Sequence, residues 1–199
     1  MNQKDYPKEI ILKDGTGVTF RPLRKGDETP LFEMFKELSD DDRWFTDGDV
    51  SDFRVIDQWL KRMDQERMTI LVAVLEGRII ASATLILNEE SARGHIGRVS
   101  VTVVPSFRTK NLGTWLLFDL MNLAISVGLE ILVMELIEDR DASGIRGAKR
   151  LDFFQEALLK DYVKDRQGNY HSLVIMVKRL YLGWKYKGGL TKDNPALID

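Results

Sequence analysis

The chain opens on two short runs of alternating or apolar residues, Glu9–Leu12 and Gly17–Phe20, separated by Lys13-Asp14-Gly15-Thr16. An Asp-Gly between two such runs predicts a hairpin, and Arg21-Pro22 ends its second strand. Thr29-Pro30 marks a helix start, since proline fits the first helical position. Leu31, Met34, Phe35 and Leu38 then recur at helical spacing, and Val55, Ile56, Trp59, Leu60 and Met63 form a second such face. Between them the sequence reads as an acidic loop. The runs Thr69–Leu75, Ile79–Leu87 and His95–Val104 follow, joined by the tight turn Glu76-Gly77-Arg78 and the polar stretch Asn88–Gly94. They predict an antiparallel meander. Helical period returns at Trp115, Leu116, Leu120, Leu123, Ala124 and Val127, with Gly128 placed as a C-terminal cap. Ile131–Ile137 is apolar except for Glu135 and predicts a strand buried on both faces. Strand, helix and strand at this spacing make a βαβ unit with a parallel pair. Gly144 and Gly147 weaken residues 140–150 to a short or irregular helix. Phe153–Val163 and Tyr170–Val177 flank Asp-Arg-Gln-Gly-Asn and predict a closing hairpin. No repeat or linker divides the chain, so residues 1–183 are expected to form one domain, with 184–199 a mobile Lys/Gly-rich tail.

Composition narrows what such a domain does. The 29 Lys+Arg against 31 Asp+Glu leave a net charge of -2, which argues against a general nucleic-acid binder. The absence of cysteine excludes disulfides, thiolate metal sites and a catalytic thiol, and fits a reducing, cytoplasmic setting. The first residues carry no apolar signal region, and no apolar run approaches the ~20 residues of a membrane span. No metal site is expected, and a homodimer stays open.

One segment carries chemistry. In Val99–Leu117 a strand ends at Pro105, and a short loop with Arg108, Thr109, Lys110, Asn111 and Gly113 leads directly into a helix. A helix start presents unpaired N–H groups and the positive end of its dipole. Small or conformationally permissive residues let an anion approach that backbone. Arg108 and Lys110 add full charges. The loop reads as a phosphate cradle, against the plainer reading of a connection with solvated cations.

The sequence here resembles the GNAT superfamily of acyl-CoA-dependent N-acetyltransferases. The family's motif runs Val-x-Pro-x-x, Arg or Gln, two residues, Gly, one residue, Gly or Ala. This chain has Val103-Val104-Pro105-Ser106-Phe107, Arg108, Thr109-Lys110, Asn111, Leu112, Gly113. Asn111 stands where the first glycine is usual, and asparagine tolerates left-handed backbone better than most residues. The element order from Val18 to Leu180 also matches, and Lys149–Phe153 stands where the family commonly has Lys-Leu-Gly-Phe. The resemblance implies an α/β (α+β) fold, with a mostly antiparallel sheet of about seven strands, a splayed parallel pair at its middle and flanking helices. It also implies direct transfer of an acetyl group from acetyl-CoA to a primary amine on a small molecule or a protein lysine. The pyrophosphate would rest on Arg108–Thr114, including Leu112 and Thr114, and the pantetheine would run beside Val101, Thr102 and Val103. A backbone N–H of that strand would stabilise the oxyanion.

An amine nucleophile has to lose a proton, so a base should face the site. In relatives this is often a glutamate on the strand before the motif or on the buried strand after it. Glu135 and Glu138 are the candidates, and burial of Glu135 would raise its pKa. His95 and His171 read more simply as structural or surface residues. Aligned on Lys149–Phe153, Asp141 falls at the family's asparagine position and Ala148 at its tyrosine position, with Tyr162 and Tyr170 as the nearby tyrosines. The missing tyrosine keeps a second class open, a non-catalytic acyl-CoA-binding sensor or regulatory domain. A P-loop nucleotide binder is not supported, because Gly-x-x-x-x-Gly-Lys-Ser/Thr is absent. The loop with Asp40, Asp41, Asp42, Asp47, Asp49 and Asp52 could attract a cationic amine, with Trp44 and Phe45 stacking on it. Its plainer reading is a solvated loop with two core aromatics.

Overall fold

The structure is a computed structural model that describes residues 6–46, 50, 52–64, 67–88 and 92–180. Asp47, Asp49 and the tail from Trp184 therefore lie outside the described residues. The strands are β1 (Lys8–Ile11), β2 (Gly17–Pro22), β3 (Met68–Leu75), β4 (Arg78–Leu87), β5 (Ile96–Val103), β6 (Ile131–Ile137), β7 (Phe154–Lys164) and β8 (Tyr170–Arg179). The helices are α1 (Glu28–Lys36), α2 (Asp40–Trp44), α3 (Phe53–Asp64), α4 (Leu112–Ser126) and α5 (Ala142–Arg150), with a 3-10 turn at Pro105–Phe107. No helix among the described residues is long and apolar enough to cross a membrane.

All eight strands join one sheet in the order β1-β2-β3-β4-β5-β6-β8-β7. The sequence predicted about seven; the short opening strand β1 takes a full place at the edge, Lys8 opposite Phe20. β5 and β6 are the parallel pair, and every other neighbouring pair is antiparallel. The acidic segment is also more ordered than a loop: Ser39 caps α2, its hydroxyl accepting from the Asp42 N–H at 3.0 Å. Three acids in the first turn of α2 suit the positive end of the helix.

The core lies on both faces of β3 and β4, where Ile70–Ala73 and Ile79–Ala81 are buried without alternation. Helices α1 and α3 cover one face and α4 the other. β6 was predicted to be buried on both faces, yet Leu132 and Met134 are buried while Glu135 is exposed. The cause is its neighbour: pairing with β5 covers only Ile96–Arg98 against Ile131–Val133, so the rest of β6 has a free flank. Helix α4 buries Leu112, Leu116, Leu120 and Leu123 and also Asp119, which accepts from Tyr6 Oη at 3.0 Å and pairs with Lys8 Nζ at 2.9 Å. Gly128 follows the helix at φ +83, the left-handed cap its position predicted.

Gly97 sits in the paired part of β5. A Cβ there would lie 2.6 Å from Leu129 Cδ1, 2.8 Å from Leu85 Cδ1 and 3.1 Å from Leu132 Cδ2. Three buried leucines cannot all yield at native packing density. Gly97→Ala is therefore expected to cost about 1–3 kcal/mol, read as a lower denaturant midpoint at unchanged slope. An unchanged midpoint would show that the leucines repack freely.

Candidate active site

Beyond Arg98 and Val133 the two parallel strands part. β5 stays paired with β4 as far as Val103, and β6 stays paired with β8 as far as Ile137, so each strand has one free flank. A cleft of about 450 Å³ opens between these flanks. Its walls are Val101, Thr102 and Val103 of β5, Met134–Ile137 of β6, the loop into α4, and α5. The loop holds its shape through two left-handed residues, Thr109 and Asn111, both at φ 65. Asn111 thus adopts the conformation for which the motif normally uses glycine. It is the N-cap of α4, and the first turn that follows leaves the N–H groups of Leu112, Gly113 and Thr114 without backbone partners among the described residues. Gly113 faces β5, with Val101 Cγ1 and Val103 Cγ2 each 3.5 Å from where its Cβ would be.

The structure separates the two cations of the motif. Arg108 lines the cleft, donating to the Val103 carbonyl at 3.1 Å and to Asp42 Oδ2 at 2.8 Å. Lys110 does not line it; its ammonium pairs with Asp14 Oδ2 at 2.7 Å and holds that carboxyl at about 2. Positive charge is supplied from elsewhere by Lys13, Arg140, Arg146 and Arg150, all on the cleft wall. Arg150 reaches Asn111 Oδ1 at 3.4 Å. The sequence reading missed these four. For Arg146 and Arg150 a signal existed, since spacing of four places both on one helical face. Finding it required knowing that α5 folds over the start of α4, where a Cβ on Gly147 would sit 3.2 Å from Thr114 Oγ1.

Among the described residues three carboxylates line the cleft, and their surroundings differ. Burial pushes Asp42 up, but hydrogen bonding and charge from Arg108 prevail and hold it below its ordinary value. Asp141 is raised by burial, which outweighs the 2.7 Å hydrogen bond that its Oδ2 accepts from the Ile137 N–H. Glu135 is exposed rather than buried, and it lines the cleft. It makes no hydrogen bond or ion pair among the described residues. Glu138 is exposed and does not line the cleft, and neither does His95. Ala148 is buried in the cleft wall, while Tyr162 and Tyr170 are exposed on β7 and β8 and do not reach it. Among the described residues no group of His, Asp and Glu is placed to hold a metal ion.

The described acids of the acidic segment are all paired. Asp40 pairs with Arg43, Asp52 with Arg54, and Asp41 and Asp42 with Arg140 at 3.4 Å each. Trp44 donates to the Lys164 carbonyl at 2.7 Å and lies under Arg166, whereas Phe45 lines the cleft beneath Arg140. Phe45 and His171 meet edge to face, and His171 Nδ1 is 2.9 Å from Asp139 Oδ2 and its Nε2 3.4 Å from Asp165 Oδ2. Asp139, with Asp165 behind it, raises the His171 pKa above 6.5. A raised histidine stabilises the fold while protonated, so its contribution is full below about pH 6.5 and fades as pH rises through the folded-state pKa. His171→Gln should lower the thermal midpoint at pH 5.5 and converge on the parent protein at pH 9. Equal midpoints at both values would remove the imidazolium from the account.

No curated protein sequence matches the chain. Solved structures do match in fold. An N-acetyltransferase from Staphylococcus aureus Mu50 aligns at TM-score 0.72 and 16% identity over 83% of this chain and 100% of its own. A ribosomal-protein-alanine N-acetyltransferase from Brucella melitensis aligns at TM-score 0.70 and 21% identity, over 81% and 99% respectively. A candidate acetyltransferase from Salmonella typhimurium, solved with its cofactor acetyl-CoA, aligns at TM-score 0.71 and 22% identity, over 83% and 95%. At these identities the likeness shows the fold. The sequence model of the acetyltransferase (GNAT) family matches residues 31–153, from α1 through the cradle to the end of α5. The chain thus belongs to the GNAT acetyltransferase family, whose reaction draws its acetyl group from acetyl-CoA.

Proposed function

We propose that this chain transfers the acetyl group of acetyl-CoA directly to a primary amine, with the cofactor held in the cleft between β5 and β6. The observation that carries this reading is the junction of two features. Strands that part after three paired positions open directly onto a helix start with three unpaired N–H groups. The residues suit the cofactor. The cradle Arg108, Thr109, Asn111, Leu112, Gly113 and Thr114 would hold the pyrophosphate, with Arg146 and Arg150 beside it. Lys110 would support the loop through Asp14 rather than touch phosphate. Asp141 would hold the end of β6 through the Ile137 N–H. The free flank of Val101, Thr102 and Val103 would pair with the pantetheine amides and offer an N–H to the carbonyl oxygen.

When bound, acetyl-CoA supplies the thioester carbon that the amine attacks. Glu135 would take the proton the amine gives up, since Asp42 is held by arginines and Asp141 by a backbone N–H. Glu138, off the cleft, is left as the weaker of the two glutamates. The chain has no cysteine, which excludes a cysteine acyl-enzyme and agrees with a single transfer step.

A second reading rests on the buried Ala148 and, among the described residues, the lack of a tyrosine on the cleft wall: an acyl-CoA sensor without turnover. A thiolate leaves more readily than an alkoxide or an amide anion, which reduces the need for such an acid and favours catalysis. Calorimetric titration with acetyl-CoA, followed by thiol release over a panel of amines, separates the readings. Binding with release supports the transferase, binding with no release on any amine supports the sensor, and no binding overturns both.

A further inference from the structure

The opening hairpin touches the cradle and its helix at two separate places. At its base, Tyr6 Oη and Lys8 Nζ both reach Asp119, buried in the middle of α4, at 3.0 and 2.9 Å. A buried carboxylate binds its partners firmly, because leaving its charge unpaired is costly. At its tip, the turn Lys13-Asp14-Gly15-Thr16 lies against Lys110, two residues before α4 begins. Asp14 is oriented by the turn itself, its Oδ1 accepting from the Thr16 N–H at 3.1 Å, which leaves Oδ2 for the Lys110 ammonium at 2.7 Å. The Lys13 N–H donates to the Lys110 carbonyl at 3.5 Å, and the Lys110 ammonium lies 4.7 Å from the centre of the Phe107 ring. Backbone and side chain of Lys110 are thus both held. Its two neighbours, Thr109 and Asn111, are the left-handed residues of the loop, each at φ 65. Asparagine accepts that conformation readily, but a β-branched threonine does not. A strained residue persists only where its surroundings fix it, and the fixed point beside Thr109 is Lys110.

Resting on the reading of the cleft as the acetyl-CoA site, we infer that Asp14 and Lys110 are positioning residues for the cofactor: through this pair the turn of the opening hairpin keeps the pyrophosphate loop in the shape that receives it. Neither residue lines the cleft. The same turn carries Lys13 onto the cleft wall, so its placement also fixes one cation there. The other possible role, Lys110 as a phosphate ligand that Asp14 holds back, has the opposite consequence. Removing the Asp14 charge would then free the ammonium and tighten binding. Electrostatics alone points the same way, since an anionic ligand gains when a nearby carboxylate is neutralised. Weaker binding without the Asp14 charge therefore has one source, loss of the geometry that the turn imposes. The size of the effect is bounded. The two side chains are 31% and 38% exposed, and an ion pair so placed supplies a few-fold at most. Acetyl-CoA affinity should fall without vanishing.

The test uses the intact protein and acetyl-CoA itself, with calorimetry for Kd and melting of the ligand-free protein for stability. Asp14→Asn and Lys110→Met should each raise the acetyl-CoA Kd about fivefold, whereas Lys110→Arg, which keeps the charge, should stay close to the parent. The double variant should bind no more weakly than either single one, because the same pair is lost in all three. With two routes to the broken pair, one misfolded variant does not decide the matter. Thr109→Gly separates positioning from general stability. Glycine enters the left-handed region without strain, so in that background Asp14→Asn should change Kd by less than about twofold. Tighter binding in Asp14→Asn would make Lys110 a phosphate ligand and overturn the assignment. An unchanged Kd in both single variants, whatever their melting temperatures, would reduce the pair to a structural contact and overturn it too. So would a fivefold loss that persists beside Thr109→Gly. A parent protein that binds no acetyl-CoA overturns the reading of the cleft itself, and the roles of Asp14 and Lys110 with it.

Discussion

Glu135→Gln is expected to lower kcat for amine acetylation by about 100-fold or more, the usual scale for a positioned general base, with acetyl-CoA affinity unchanged. The expectation comes from the contrast among the three cleft carboxylates. Asp42 is engaged by Arg108 at 2.8 Å and by Arg140 at 3.4 Å, so accepting a proton would break ion pairs that hold the cleft mouth. Asp141 spends one oxygen on the Ile137 N–H, where protonation would weaken the turn into α5. Glu135 lines the same cleft with no hydrogen bond or ion pair to break among the described residues. Glutamine keeps its size and removes its ability to accept the proton. The measurement is kcat/KM across pH for both proteins, and the parent's acidic limb should flatten in the variant. A variant with the parent's rate and profile would remove Glu135 as the base and leave a water relay in its place.

Gly113→Val carries the second large effect, through binding. The glycine lies in the first turn of α4, with its missing Cβ directed at Val101 and Val103 across the cleft floor. At 3.5 Å from each valine, a Cβ alone makes ordinary contact, so the chain should fold with alanine there. Alanine at this helical position should even add about 0.5–1 kcal/mol of stability. The two further methyls of valine have to enter the space between cradle and strand. Overpacking at this scale costs about 1–3 kcal/mol, and here the ligand bears it rather than the fold. Acetyl-CoA affinity should fall about 10- to 100-fold in Gly113→Val, with the thermal midpoint close to the parent's. Unaltered affinity would remove the helix start as the phosphate site. Lost stability with lost affinity would mean that the valine disturbs α4 itself rather than the ligand.

Much of this was legible along the chain because it depends on neighbours in sequence. The hairpin at Asp14-Gly15, the helical faces of α1, α3 and α4, the cap at Gly128 and the parallel β5–β6 pair all follow from local period and turn chemistry. The cradle was legible for the same reason: strand, loop and helix start are consecutive, and Asn111 could be judged by its own tolerance of φ 65. What the chain order did not show was burial or charge that depends on a partner distant in sequence. Glu135 in an apolar run reads as buried, but the run's flank is open because β5 leaves it after Arg98. Lys110 reads as a phosphate ligand, but Asp14, from the opening hairpin, takes its charge. The acids of α2 read as a negative field, but Arg108 and Arg140 from the other side of the cleft neutralise it.

The sequence alone therefore determined the family, the order of elements and the left-handed loop that opens α4, since each is written in residues only a few positions apart. Tertiary structure decided which charges face the cleft and which are paired away from it. Arg146 and Arg150 reach the cleft because α5 folds over α4, whereas Lys110 is held off it by Asp14 of the opening hairpin. A charge is defined by what stands within a few ångströms of it, and here those neighbours come from elements distant in sequence.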